Sequence, residues 1–147
     1  MNSGKREGGV SFEAWVETVP DVIRNGPVWQ SWAYPKALYL HDLAWEDGQI
    51  LWKAPLGRPL ADQLIRSVGS ISANLEEGFG RGVQSKTYDQ FLRYSLGSAG
   101  EAEGWYHRSH HILPAKLLAL RLSLLEEIIS LLVSTLKRRQ EARSGNA

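Results

Sequence analysis

The chain has 147 residues, a formal net charge of +1 and no cysteine. This length favours one domain with a hydrophobic core, and the lack of cysteine excludes disulfides and thiolate metal sites. The near-neutral charge gives no global reason to expect an anionic partner. No window holds the roughly 18 apolar residues of a membrane span, and residues 1–10 lack the apolar core of a signal peptide. We therefore expect a cytoplasmic protein without a membrane partner.

The N-terminal part of the chain is rich in tryptophan. Residues 1–10 are polar and glycine-rich, which predicts a disordered N-terminus. The tryptophan-rich segment 12–32 predicts a short helix over about 12–24, which Pro20 kinks or ends. A longer helix is predicted over 35–51. The KAPLGRP sequence after it predicts a loop, because two prolines and a glycine do not continue a helix.

The stretch QLIRSVGSISANLEEGFGR, residues 63–81, carries two stripes on one predicted helix. Pro59 suits the start of this helix because its missing N–H would be unpaired there in any case, and the glycines after Phe79 end it. One stripe is apolar and predicts burial against another helix: Leu64, Val68, Ile71 and Leu75. The other stripe is polar: Gln63, Ser67, Ser70, Asn74, Glu77 and Arg81.

The polar stripe is either a working surface or an internally paired layer. We favour the structural interpretation because buried polar groups in native proteins are usually paired internally. It assigns a structural role to Gln63, Ser70, Asn74 and Glu77. In it, Asn74 and Glu77 satisfy backbone groups around the GFGRG turn, while Arg66 and Arg81 pair with carboxylates. The GFGRGVQSK sequence does not predict a phosphate loop, because it follows a helix rather than a strand and lacks the order G-x-x-x-x-G-K-[ST].

Two further helices follow. Ser85 suits the N-cap of the first, on which apolar and small residues recur at spacings of four and three: Tyr88, Leu92, Ser95, Ala99, Ala102, Tyr106, Ser109 and Leu113. Pro114 begins the last helix, predicted to end near Arg139 before a flexible tail, 141–147. This helix is apolar around more than one stripe, which predicts a second buried face and hence a homo-oligomer. The glycine–serine clusters 69–73 and 97–100 predict a close approach of two antiparallel helix backbones.

No segment alternates with period two for long enough to form a strand. We therefore predict an all-α fold, an up-down four-helix bundle with an extra N-terminal helical segment, in a single domain over 11–140. Glu103, His107 and His111 have metal-ligand spacing, but only one helix supplies them, so we predict no metal and no cofactor. No nucleophile–base pair is evident, which predicts that the protein is not an enzyme.

Two motifs resemble a known family. They are Q-x-x-R-S-x-x-S-I-x-x-N-x-x-E-G-x-G-R over 63–81 and F-L-x-x-x-L-G-S-A over 91–99. Within roughly 38–136 the chain resembles bacterial four-helix-bundle proteins encoded in intervening sequences of 23S ribosomal RNA genes, and the accessory variability proteins of diversity-generating retroelements. The resemblance implies a ring-like homo-oligomer, a pentamer in the retroelement branch, whose basic surfaces bind RNA and the reverse transcriptase.

Two functions follow as hypotheses. The leading one is a non-catalytic oligomeric scaffold or adaptor that binds RNA or DNA, or a nucleic-acid enzyme such as a reverse transcriptase. Its predicted phosphate contacts are Arg66, Arg81, Lys137, Arg138 and Arg139. The alternative is a protein-interaction module in which the tryptophan-rich segment docks a partner chain and nucleic acid has no role. Five indoles are candidates for a stacking or docking surface, although we favour a role for most of them in covering the bundle or filling a groove between subunits: Trp15, Trp29, Trp32, Trp45 and Trp52.

Overall fold

The computed structural model of the protein describes residues 9–145, and every regular element in this range is helical. The all-α prediction is therefore confirmed. Two short helices come first, α1 (Phe12–Val16) and α2 (Asp21–Arg24), followed by a 3-10 turn at Pro27–Gln30. Four long helices then follow: α3 (Ala33–Trp52), α4 (Arg58–Gly80), α5 (Lys86–Arg108) and α6 (Ala115–Gly145).

Each long helix packs against the next one along the chain, and α6 also packs against α3. The contacts between helices run in opposite directions along each pair. Tyr34 at the start of α3 donates a hydrogen bond to Glu76 near the end of α4, at 2.6 Å. Arg139 near the end of α6 likewise donates to Asp89 at the start of α5, at 2.5 Å. The helices of each of these two pairs, α3 with α4 and α5 with α6, therefore run antiparallel.

The buried faces of α4 and α5 are those that the spacing predicts, because residues three and four apart lie on one side of a helix. All four residues of the apolar stripe on α4 are fully buried, at 0% exposure. Every residue of the predicted stripe from Tyr88 to Leu113 is buried as well, including the polar Ser95 and Ser109. Ser95 Oγ donates to the carbonyl of Ile71 at 2.9 Å, so its hydroxyl is satisfied across the α4–α5 contact.

The helix ends also follow local chemistry. Pro59 lies in the first turn of α4, and the Ser85 side chain caps α5 by accepting from the N–H of Tyr88 at 3.2 Å. Gly82 follows the end of α4 with a φ of +97°, which a residue with a Cβ adopts only under strain. The glycine-rich stretch after Phe79 therefore ends the helix, as predicted.

The structure corrects two predicted boundaries. Residues 12–24 do not form one helix, because Pro20 has an extended backbone and caps α2 rather than kinking a continuous helix. The last helix runs to Gly145, beyond its predicted end near Arg139, so residues 141–145 are helical. Residues 146–147 of the predicted tail, and most of the predicted disordered N-terminus (residues 1–8), lie outside the described residues.

The two glycine–serine clusters meet through their serines, since Ser98 of α5 donates to the Ser70 hydroxyl of α4 at 2.9 Å, but their glycines do not make the contact. A Cβ at Gly97 or Gly100 would meet nothing within 4 Å, since both glycines face solvent, and a Cβ at Gly69 would meet His41 of α3. The glycine that does allow close packing of α4 against α5 is Gly78. A Cβ there would lie 2.9 Å from atoms of Phe91 and Tyr88.

The N-terminal segment packs its first two tryptophans onto the bundle. Trp15 is buried, and its indole N–H donates to Asp42 of α3 at 2.7 Å. Its ring stacks on Trp29 with centroids 6.3 Å apart, and both Phe12 and Trp15 contact the ring of Tyr39. These two indoles therefore cover part of α3, whereas Trp32, Trp45 and Trp52 remain more than half exposed.

Candidate nucleic-acid interface

The polar stripe of α4 is paired largely within the bundle. The Asn74 amide donates to the carbonyl of Ser70 at 2.8 Å and to its hydroxyl at 3.0 Å. Ser98 of α5 donates to the same hydroxyl at 2.9 Å, so Ser70 links the two helices. Ser67 is also satisfied, by the carbonyl of Leu64. Gln63 is half-buried on the same helix face.

The predicted partners of this stripe are partly wrong. Asn74 and Glu77 do not satisfy the GFGRG turn, because α4 continues to Gly80 and its last carbonyls accept from the backbone N–H of Arg81. The Glu77 carboxylate pairs instead with the Arg81 guanidinium at 2.9 Å. Arg66 pairs with Asp62 at 3.4 Å. Both arginines therefore pair with carboxylates as predicted, in exposed positions.

One end of the bundle, here called the C-terminal end, is formed by the end of α6, the start of α3 and the connection 81–85. Asp89 lies there and receives hydrogen bonds from Arg139 and Arg143. Burial opposes the charged form of Asp89, but the two arginines outweigh it and lower the pKa of the carboxyl. Arg139 also donates to the carbonyl of Ser85 at 3.2 Å and covers the ring of Tyr88. Its guanidinium is thus committed within the protein.

The predicted phosphate contacts fall into separate groups. Arg81, Lys137 and Arg138 are exposed at the C-terminal end. The guanidinium of Arg138 lies over the exposed indole of Trp32, 4.1 Å from its centroid. Arg66 lies apart, because fifteen residues of helix place it about 22 Å from Arg81 along α4. The structure therefore does not gather the predicted residues into one site.

The opposite end, here called the two-loop end, is formed by the connections 53–57 and 109–114. The loops touch, because a Cβ at Gly57 would lie 2.9 Å from the side chain of Ile112. Lys53, Arg58 and Arg108 are exposed there and pair with no carboxylate within residues 9–145. Arg58 lies over the indole of Trp52 at 5.6 Å, and Arg108 lies over that of Trp105 at 4.6 Å.

A groove of about 780 Å³ opens beside this end, between α3 and α4. We call it the tryptophan groove. The groove is lined by Trp45, Glu46, Gly48, Gln49, Ile50, Trp52, Lys53, Ala61, Asp62 and Ile65. The two indoles are 58% and 56% exposed. Sequence reasoning missed the groove, although the spacing of Trp45, Gly48 and Trp52 places all three on one side of a helix.

A buried charged cluster joins α3, α5 and α6. Arg121 donates two hydrogen bonds to the Asp47 carboxylate, at 2.7 and 3.1 Å, and the Tyr106 hydroxyl donates a third at 2.7 Å. Burial and the adjacent Asp47 raise the pKa of Tyr106, while Asp47 raises that of Arg121 against the effect of burial. The cluster was missed, although Asp47 continues the buried spacing of α3 and Arg121 interrupts an otherwise apolar helix.

The C-terminal half of α5 carries further titratable groups. Burial and a hydrogen bond with the Glu126 carboxyl raise the pKa of Glu103 to about 7. Glu103 therefore faces a carboxyl of α6 rather than a histidine. His111 lies in a 3-10 turn after the end of α5, so it does not continue the helical spacing from Glu103 and His107. The described part of the chain contains no group of three side chains able to hold a metal ion.

Comparison with known proteins gives one family. The sequence model of the family described as 23S rRNA-intervening sequence protein matches residues 57–134, more than half of the chain. The matched part contains α4, α5 and most of α6, and excludes the N-terminal aromatic segment. No curated protein and no solved structure gives a significant match. Among the described helices, none is long and apolar enough to cross a membrane.

Proposed function

The chain belongs to the family of 23S rRNA-intervening sequence proteins, and we propose that it is a non-catalytic helical scaffold that self-associates and binds RNA or DNA. A nucleic-acid enzyme such as a reverse transcriptase is a partner under the same proposal. The buried cluster of Asp47, Arg121 and Tyr106 supports a structural role, because these three side chains are at most 3% exposed and no substrate reaches them.

One observation carries the nucleic-acid role: the end of α6 presents adjacent exposed cations, Lys137 and Arg138, at the same end of the bundle as Arg81. Cations that neutralise phosphates release counterions, which supplies affinity without sequence specificity. Arg139 contributes less than predicted, because it is held by Asp89. Arg81 exchanges its exposed partner Glu77 for a phosphate at small cost, since surface ion pairs contribute little.

Self-association is supported by the apolar surface of α6. Leu120 and Val133 are 50% and 48% exposed, and further leucines of the same helix are only partly buried in the monomer, among them Leu117, Leu124 and Leu131. Apolar surface left on a helix favours association with a second copy. If two different patches of the protein make the contact and the rotation between copies closes, the assembly is a ring, and a pentamer would bring five basic ends together.

A salt titration tests the nucleic-acid role. The full chain should bind a fluorescent RNA at low salt, with log affinity falling linearly as log salt rises. Combining R81Q, K137Q and R138Q should reduce that slope by about two to three. R93Q, which changes an exposed arginine in the middle of α5, is the matched control. Absence of binding at low salt would refute the role, and light scattering on the same samples reports the oligomer.

The alternative function, docking of a partner chain by the N-terminal indoles, receives no support from their packing. Trp15 and Trp29 stack on one another and against α3. Of the three indoles in the tryptophan-rich segment, only that of Trp32 is more than half exposed, and its ring lies beneath Arg138.

A further inference from the structure

The tryptophan groove exposes two large aromatic side chains on one surface. Trp45 and Trp52 are each more than half exposed, and both line the same opening. Gly48 lies between them on α3 and contributes no side chain, and a Cβ there would meet Ile65 of α4 at 3.4 Å. The groove therefore has an apolar floor with an indole from each side of Gly48. Contiguous exposed apolar surface of this kind is typical of a binding site.

Cations surround the second indole. Lys53 lines the groove directly, and Arg58 lies over the Trp52 ring while it donates to the Trp52 carbonyl at 3.2 Å. Neither cation pairs with a carboxylate within the described chain. Arg66 stands at the α4 side and pairs with Asp62, which lines the groove. An anionic ligand that also presents flat apolar rings would fit both features.

Two carboxylates of the groove would repel an anionic ligand, but their positions limit this repulsion. Asp62 is neutralised in part by Arg66. Glu46 lies two turns before Lys53 on α3, about 10 Å away along the helix. The charge near Trp52 is therefore positive, while the end of the groove near Trp45 is weakly acidic.

We propose that the tryptophan groove binds a single strand of nucleic acid, with bases stacked on Trp45 and Trp52 and phosphates held by Lys53 and Arg58. This inference rests on the proposed function and adds the strand preference and the site. A groove that combines cations with exposed aromatic rings is the usual arrangement for single strands. In a duplex each base face is covered by its neighbours, so only unstacked bases reach an indole.

A second groove opens near the C-terminal end, but Trp32 is the one indole of its lining that is more than half exposed, and Lys36 in that lining pairs with Glu127. Arg81, Lys137 and Arg138 lie outside this lining, so we expect them to contact phosphates of single strands and duplexes alike. The two ends then have separable effects. The C-terminal end contributes salt-dependent affinity, and the tryptophan groove contributes the preference for single strands.

The test measures binding of the full chain to one fluorescent oligonucleotide, as a single strand and as a duplex, at low salt. We expect tighter binding of the single strand. W45A and W52A should each weaken single-strand binding roughly tenfold or more and leave duplex binding unchanged. E46Q should tighten single-strand binding, because it removes a negative charge from the groove. Y94A, which removes an aromatic ring that is 49% exposed on α5 and lines neither groove, is the matched control and should change neither.

Each outcome decides the inference. Equal affinity of the native protein for both forms, or unchanged single-strand binding in W45A and W52A, overturns it and leaves the proposed function standing. No binding of either form by the native protein refutes the proposed function itself. If an alanine variant does not fold, as judged by circular dichroism, E46Q decides, and unchanged or weaker single-strand binding in E46Q counts against the groove.

Discussion

Two carboxylate–arginine clusters join helices of this bundle, and they differ chiefly in burial. In the first, the side chains of Asp47 and Arg121 are 1% and 3% exposed. In the second, Asp89 is 4% exposed, but its partners Arg139 and Arg143 are 19% and 36% exposed. Each carboxylate receives several charged hydrogen bonds, and each lies beside a tyrosine ring. The chemistry is therefore similar, while the access of solvent is not.

This difference decides what each cluster does for stability. A charge in the interior has lost its hydration, so removing its partner leaves an uncompensated charge and is strongly destabilising. Where arginines reach water, solvent takes over much of the lost interaction. We therefore expect the inner cluster to hold α3, α5 and α6 in register, and the outer cluster to secure the last turns of α6 against α5.

The largest expected effect is at the inner cluster. Asp47→Ala leaves the Arg121 guanidinium and the Tyr106 hydroxyl without their shared acceptor, and we expect a loss of about 3–5 kcal/mol in the free energy of unfolding. Urea denaturation measures it. Asp62→Ala, at an exposed ion pair, is the control and should cost less than about 1 kcal/mol. Similar losses for both variants would show that burial does not separate the two kinds of pair.

The outer cluster should be weaker and dependent on pH. We expect Asp89→Asn to cost about 2 kcal/mol at neutral pH, the range for hydrogen bonds to charged groups. The folded pKa of Asp89 lies below the ordinary value of 3.8. Its contribution is therefore present above that value and is lost as the pH falls through the folded pKa. Unfolding curves of both proteins should converge in acid, and a constant difference down to the lowest pH would contradict this account.

Glu103 lies between the two clusters on α5 and faces a carboxyl instead of an arginine. Its pKa rises from 4.5 to about 7 on folding, so the folded state binds the proton more tightly. Stability should fall as the pH rises from about 4.5 to 7 and then level off. Glu103→Gln should abolish this fall and, allowing for solvent screening, stabilise the protein by about 1 kcal/mol above pH 7. A pH series of thermal unfolding measures this change, with Glu141→Gln as the exposed control. Stability of the native protein that rises over the same pH range would contradict the prediction.

The smallest effect is expected at an ion pair on the surface, in which both side chains are more than half exposed. Arg81→Gln removes the partner of Glu77 one helical turn away, and such pairs contribute about 0.3–0.5 kcal/mol. Its urea midpoint should stay close to that of the native protein. A loss comparable with that of Asp89→Asn would show that Arg81 has a structural role that its exposure does not reveal.

Much of the fold follows from local pattern. The apolar stripe from Leu64 to Leu75 and the stripe from Tyr88 to Leu113 are buried as their spacing predicts, because helix geometry alone decides which residues share a face. Pro59, Ser85 and Gly82 mark helix ends for reasons internal to one or two turns. The segment with Pro20 was harder, since a proline permits either a kink or a new helix start, and the structure shows a new start, with Pro20 at the N-cap of α2.

The candidate sites were less accessible to sequence reasoning. Periodicity shows that Asp47 and Arg121 occupy the inner faces of their helices, but not that they meet. Arg139 was predicted as a phosphate contact because it lies in a basic run. Its pairing with Asp89, fifty residues earlier, depends on helix packing, which the sequence does not show. The tryptophan groove exists only because α4 lies beside one face of α3.

By itself, the sequence of this protein determined the helices, their inner faces, most of their ends and the family, because each depends on residues close together in the chain. Only the tertiary structure decided which charges are neutralised within the protein and which remain for a ligand. Helix neighbours set those distances, and burial sets the strength of each interaction. The exposed cations and indoles at the two ends of the bundle are what this packing leaves accessible to a ligand.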